Sequence, residues 1–275
     1  MGGNQFGRTS SLTLKAAAGK NGRTLLKDLS FTAPFKVMEP FVRDDGLTQV
    51  MVLAASAGIM EGDRQEFSLS VESGAALEFT SQAYEKIHQM SGQDCARRHA
   101  AITVADGGFL RYNPQATVPF ADSAFESTVD VHLQGNAGFQ WSEIFTCGRY
   151  MRGERFAYRW YTNLVRIYRD GRLIYRDNAR FDPTVFAMDG MGMFEQYTHL
   201  ASLFISRPKQ GEAFARQVYD LLQEAEEQGK AGSQPLVEGG ITALSDGDYA
   251  VRIFGVRAQT LEKLKEKIMD IGCQE

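Results

Sequence analysis

The sequence predicts a mainly β protein that turns helical towards its end, and three observations carry that prediction. Glycine and proline recur at short intervals through the first two thirds, at Gly46, Gly58, Gly62, Gly74, Gly92, Gly107, Gly108, Pro114, Gly135, Gly148 and Gly153. Between them lie short segments whose apolar side chains alternate with polar ones, the period of a half-buried strand. From Gly211 onward the apolar spacing changes to that of helices packing one face on a core.

Phe67, Leu69 and Val71 alternate with Ser68 and Ser70, and Val129, Val131 and Leu133 alternate with Asp130 and His132. Phe139 and Trp141 do the same around Gln140. The sharpest hairpin runs from Val165 to Tyr175 around Asp170-Gly171, a pair suited to a two-residue turn because both central positions need positive φ. Phe214, Val218, Leu221, Leu222 and Ala225 define a helix over 211–227, followed by a polar loop over 229–235 and a strand over 249–256. Leu261, Leu264, Ile268 and Ile271 make a closing amphipathic helix with Thr260 as its cap. No internal sequence repeat or firm domain boundary is visible.

The 275 residues, 43% hydrophobic and 23% charged, have the composition of a soluble folded protein large enough to bury a core without staples. Thirty Lys+Arg against thirty-four Asp+Glu give a net charge of −4, which is not the basic footprint of a nucleic-acid binder. Cys95, Cys147 and Cys273 are too few and too widely spaced for a disulfide framework, which points to reduced thiols in a cytosolic compartment. Met1 to Phe6 lack the apolar stretch of a signal peptide, and the longest apolar run, Val50 to Ala55, is far short of the roughly 20 residues that span a bilayer. The expectation is a cytoplasmic protein with neither a membrane nor a nucleic-acid partner.

No P-loop, dinucleotide fingerprint, nucleophile elbow or H-E-x-x-H zinc motif occurs. His88, His99, His132 and His199 are isolated and no C-x-x-C pair exists, which argues against a tight His/Cys metal cage. Four segments remain. Ser56 to Asp63 places two glycines, Gly58 and Gly62, before a carboxylate: either a turn with Asp63 capping local amides, or a cation-binding carboxylate in a cleft. Thr80-Ser81-Gln82 sets three hydrogen-bonding side chains in a row after a strand, with surface exposure as the competing reading. Glu143 to Glu154 brackets Arg149 and Arg152 with two carboxylates, a pattern open to glycoside hydrolysis or to plain ion pairing. Met188 to Glu195 is rich in Met and Gly, a soft-ligand set for Cu(I) or an adaptable packing and partner-binding loop.

Taken together, these segments resemble the urease accessory protein family called UreD, or UreH in Helicobacter, and the Helicobacter branch most closely. The resemblance rests on Pro34 to Phe41, the Ser56 to Asp63 turn, Thr80 to Ile87, Gly148-Arg149 with Gly153-Glu154, and Met191 to His199, with Ser81 to His88 and Met193-Phe194 nearest the Helicobacter branch. Ala57-Gly58 stands where the family often has Gly-Gly, Glu61 replaces a Gly, and Glu39 replaces a common Arg. The resemblance covers nearly the whole chain and implies a single domain over 1–275, β-rich over 1–205 and mixed helix and strand over 206–275. It implies a β-helix-like stack of many short strands with about two α-helices in the C-terminal third. It also implies a non-enzymatic scaffold that joins UreF and the GTPase UreG to apo-urease in a hetero-oligomer and assists nickel delivery. No cofactor would be tightly bound, and nickel would pass in transit through an internal tunnel. Weak, repeated oxygen ligands suit transit, because the ion must leave again.

By the same resemblance Asp63, Thr80, Ser81 and Glu143 line the path, while Gly58, Gly62, Arg149 and Glu154 support it. Met191, Met193, Phe194, Tyr197 and His199 are assigned to a partner interface. The competing reading is a β-rich glycoside hydrolase using Glu143 and Glu154, which requires one carboxyl kept protonated by burial.

Overall fold

The structure, a computed structural model, describes residues 7, 9–20, 22–228 and 236–273; Met1 to Phe6 and the loop expected over 229–235 lie outside the described residues. The first strands are β1 (Thr9–Ala18), β2 (Thr24–Phe31), β3 (Phe35–Val37), β4 (Phe41–Val42), β5 (Thr48–Ala54) and β6 (Arg64–Val71). Then come β7 (Ala76–Gln82), β8 (Glu85–Ile87), β9 (Ala96–Val104), β10 (Phe109–Asn113), β11 (Thr117–Pro119) and β12 (Ala124–Leu133). The series continues with β13 (Gly138–Thr146), β14 (Trp160–Arg169), β15 (Arg172–Phe181) and β16 (His199–Ile205). Helix α1 (Glu212–Gln228), β17 (Val237–Ala243), β18 (Tyr249–Gly255) and α2 (Ala258–Ile271) complete it.

Two sheets pack face to face. The first has the order β15-β14-β12-β9-β6-β1-β2, and the second β17-β18-β16-β13-β10-β7-β5-β3, with β4, β8 and β11 attached to it. From β5 to β14 the chain crosses from one sheet to the other, so β5 and β6, β7 and β9, β10 and β12, and β13 and β14 each form one coil of a solenoid. Successive coils stack in parallel register: Gln49 beside Glu78, Glu78 beside Arg111, and Arg111 beside Gln140. The mainly β, helix-like stack with two C-terminal helices is therefore present. The repeat unseen in the sequence exists in space, hidden because stacked positions need only fit one another and carry different residues.

The expected alternations form strands as written. Phe67, Leu69 and Val71 of β6 and Val129, Val131 and Leu133 of β12 are buried in the core between the sheets, together with Phe79, Tyr112, Phe139 and Trp141 from the second sheet. Phe79 and Tyr112 stack across adjacent coils, with centroids 4.9 Å apart. The Asp170-Gly171 hairpin joins β14 to β15, with φ of 49° and 81° at the two turn residues.

The outer face of the second sheet is covered by α2, whose Leu261, Leu264 and Ile268 pack on Ala201, Leu203 and Ile205 in a second apolar cluster that also takes Phe214, Val218 and Leu222 of α1. Arg111 is fully buried beneath α2, donating to Gln140 Oε1 at 3.0 Å and to Asp270 Oδ1 at 2.9 Å. One detail of α2 differs from expectation. Its N-cap is Arg257, which makes no side-chain cap hydrogen bond, and Thr260 lies within the helix. The helix is held by its buried face rather than by a cap.

Candidate functional site

Along each inward-facing row of side chains, the apolar pattern breaks at one step. In the first sheet Ser10 lies beside Gln65, Gln65 beside Arg98, Arg98 beside Ser127, and Ser127 beside Asn163. Ser10, Gln65, Ser127 and Asn163 are buried. This polar rung crosses five strands between two apolar clusters, one holding Phe67, Val129 and Trp141 and the other Ile87, Phe125 and Phe145. A buried polar group must find a partner or carry a desolvation cost, so a whole rung of them is a costly feature for a core.

The second sheet answers with Glu143, whose register neighbour on β16 is buried Ser202. Glu143 Oε1 accepts a hydrogen bond from the Tyr161 hydroxyl, and Oε2 accepts one from Asn163 Nδ2 at 2.9 Å. Burial pushes the Glu143 carboxyl up, the two hydrogen bonds hold it down, and the charges of Asp177 and Glu85 push it further up. Glu143 is partly buried, and both of its carboxylate oxygens are engaged, by Tyr161 and Asn163. The same surroundings, burial first and then Glu143, hold the Tyr161 hydroxyl well above its usual range.

Arg98 is the cation of this interior. It is hydrogen-bonded through both Nη atoms to Glu85 and through Nε to Gln65 Oε1 at 2.9 Å. Its guanidinium lies 5.0 Å from the Phe67 ring centroid and 5.6 Å from that of Phe125. Burial works against its charge, but Glu85 more than restores it and keeps Arg98 protonated. The Asn163 Oδ1 atom is buried without a hydrogen-bond partner, an open acceptor beside Glu143. Carboxylate, phenol, amide and hydroxyl groups thus share one seam with the Arg98 guanidinium, which Glu85 balances, and the donors left to a cation are hard oxygens without thiolate or imidazole.

The other residues singled out in the sequence lie elsewhere. Thr80 and Ser81 share a groove of 460 Å³ beside α2, with Glu78, Asn113, Tyr84 and Glu266. Ser81 Oγ accepts the Gln115 amide at 3.0 Å. Asp63 closes the turn before β6, accepting the Met60 amide at 2.8 Å and the Gly7 amide at 3.3 Å, which is the amide-capping geometry. Gly58 has φ of 150°, and a Cβ there would lie 2.4 Å from the Lys86 carbonyl oxygen, so the site admits only glycine without strain.

Glu154 pairs with Arg149 and accepts the Ala121 amide at 3.1 Å, and Arg149 lies 3.9 Å from the Phe120 ring centroid. No hydrogen bond joins Glu154 to Glu143, and Arg149 holds Glu154 below the usual carboxylate range. Phe194 and Tyr197 are buried, Met193 and His199 are partly buried, and Met191 is 96% exposed. Among the described residues, no group of three or more His, Cys, Asp or Glu is placed to hold a metal ion, and no helix is long and apolar enough to cross a membrane.

Gln65, Arg98, Ser127 and Asn163 belong to no motif of the sequence. A signal was present, because the alternation Phe67, Leu69, Val71 reaches Gln65 one step earlier, and Val129, Val131, Leu133 reaches Ser127.

The sequence profile described as UreD urease accessory protein matches residues 8–274. The chain belongs to that family. It is 35% identical over 269 residues to the urease accessory protein UreD of Acetivibrio thermocellus, covering 98% of each chain. It is 34% identical over 200 residues to UreH of Helicobacter hepaticus, covering 73% of this chain and 79% of that one. With UreH of Helicobacter pylori strain P12 it shares 32% identity over 272 residues, 98% and 97% of the two chains. The membership supports a role in urease maturation for this UreD-family chain.

Proposed function

We propose that the chain is a non-enzymatic scaffold of urease maturation, which joins UreF and the GTPase UreG to apo-urease in a cytoplasmic hetero-oligomer and passes nickel through its own interior. The observation that carries this reading is the polar rung facing Glu143. A fold built only to dock partners would fill that level with apolar side chains, as it does on either side. Hard oxygen donors, several already hydrogen-bonded to one another, bind a divalent cation weakly and release it, as transit requires. Nickel is cargo in this reading, with Glu143 as the carboxylate on the polar rung and Thr80, Ser81 and Asp63, which lie apart from it, as further stations.

The test is the nickel content of urease purified from cells carrying its operon with and without this gene. The expected result is assembled but nickel-poor urease without the gene, restored on adding it back. E143A and D63A should lower nickel loading while the complex still assembles in a pull-down. Full loading by both variants within an intact complex would leave the chain a docking protein with no metal path. Equal loading with and without the gene would remove the maturation role itself.

A further inference from the structure

Among the described residues, strand β2 forms the free edge of the first sheet, with β1 on one side and no strand on the other. Exposed sheet edges invite pairing with another chain, and proteins blunt them with charges and bulges. β2 has both devices, yet it exposes Leu25, Leu29 and Phe31, at 57%, 37% and 42%. The combination needs an explanation, and the arrangement of the two faces supplies one.

The register between β1 and β2 shifts at Lys15/Ala16, so Asp28 stands opposite Lys15 and Leu26 opposite Ala16, leaving Lys27 as the extra residue. Facing the core side are Thr24, bonded through its hydroxyl to the Ala76 backbone, Leu26, which packs on the core, and Leu29 and Phe31, opposite buried Leu14 and Leu12. Facing outward are Lys27, which reaches Glu72 at 2.7 Å, and Asp28, opposite Lys15, which reaches the same Glu72. Ser30, opposite Thr13, and exposed Leu25 share that outward side. Because of the bulge, the face pattern of β2 reads the same from either end, with its centre between Lys27 and Asp28.

We propose that this edge pairs with β2 of a second copy of the chain, antiparallel about a two-fold axis between Lys27 and Asp28. That register sets Lys27 of each copy opposite Asp28 of the other, two attractive cross-strand pairs. It also sets Leu26 opposite Leu29 and Thr24 opposite Phe31 on the core side, so the overhanging apolar residues cover one another. Shifting the register by one residue sets Lys27 against Lys27 or Asp28 against Asp28 and breaks the match of faces. The lysine and the bulge therefore repel an arbitrary strand while selecting this one, and the contact is isologous, so it closes at a dimer.

Sedimentation velocity on the purified full-length chain, over a dilution series, tests the proposal. The wild type is expected to shift from monomer to dimer as concentration rises. D28K sets like charges opposite each other twice across the dimer and is expected to weaken it at least about tenfold, while losing the opposed Lys15 charge within the monomer lowers the melting temperature by no more than about 4 °C. The swap K27D/D28K restores opposite charges and is expected to recover association. In a C273S background, L25C/S30C is expected to form a disulfide-linked dimer on mild oxidation, which neither single cysteine variant forms. A wild type that stays monomeric, a D28K variant that dimerises equally well, a swap that fails to recover association, or an absent cross-link would each overturn the assignment.

Discussion

Replacing Arg98 by Met tests the seam most directly. Methionine keeps the apolar stem against Phe67 and Phe125 but removes every donor, so Glu85 loses both of its Arg98 contacts and Gln65 Oε1 loses its own. Breaking a buried ion pair by removing one partner costs about 3–5 kcal/mol. The Glu85 side chain keeps 24% of its exposure, which relieves part of its isolation and places the expected loss near the lower end, about 3 kcal/mol. For a chain of this size that corresponds to a fall in Tm of roughly 6–12 °C. The double variant E85Q/R98M removes the stranded charge as well and is expected to recover about half of the loss. Thermal and urea unfolding of the wild type, both single variants and the double variant measure the coupling. An R98M protein melting within about 2 °C of wild type would refute the reasoning, because the Arg98–Glu85 pair would then hold nothing together. Nickel loading of urease by the double variant separates the structural role of the seam from its proposed transit role: a rescued fold with poor loading means that the charges serve the ion.

Three further outcomes are expected. Because burial raises the Glu143 carboxyl, its contribution to stability is full at acid pH and is lost as pH rises through and above the usual carboxylate range; E143Q removes that decline, seen as a flatter plot of Tm against pH. The sign reverses at Glu154, which Arg149 holds low: E154Q is expected to cost about 1 kcal/mol at neutral pH, with the difference closing as the wild-type carboxylate becomes protonated in acid. G58A forces a methyl group against the Lys86 carbonyl at a backbone angle hostile to alanine, and is expected to destabilise by about 2 kcal/mol in urea unfolding.

The fold was legible wherever a local rule was strong. Asp170-Gly171 announced its hairpin, and the alternating runs in β6, β12 and β13 announced their strands, because period-two burial is written into neighbouring residues. The solenoid was not readable from composition or spacing, since the contacts that define it join residues a whole coil apart and impose fit rather than identity. Only the family resemblance implies it. The same distance hid most of the site. Glu143 stood out beside a glycine-rich turn, but Arg98 sits in an unremarkable Ala-Arg-Arg-His run, and only stacking reveals that it falls level with Gln65, Ser127 and Asn163. Residues that sequence reading placed together ended apart. Asp63 is engaged by the backbone amides of Met60, in its own turn, and of Gly7, and Phe194 and Tyr197, expected at an interface, fill an apolar core.

The level rung has a consequence for how such an interior can change over time. What lines it is set by one position per strand, counted along the strand from its turn, and not by the loops between strands. Insertions and deletions in those loops can accumulate without altering the lining, whereas a single-residue slip within a strand would carry Arg98 or Asn163 to the outer face and an outward residue inside. Drift is therefore cheap between coils and forbidden within them, and the chemistry of the interior can be retuned one side chain at a time, coil by coil, without refolding the rest.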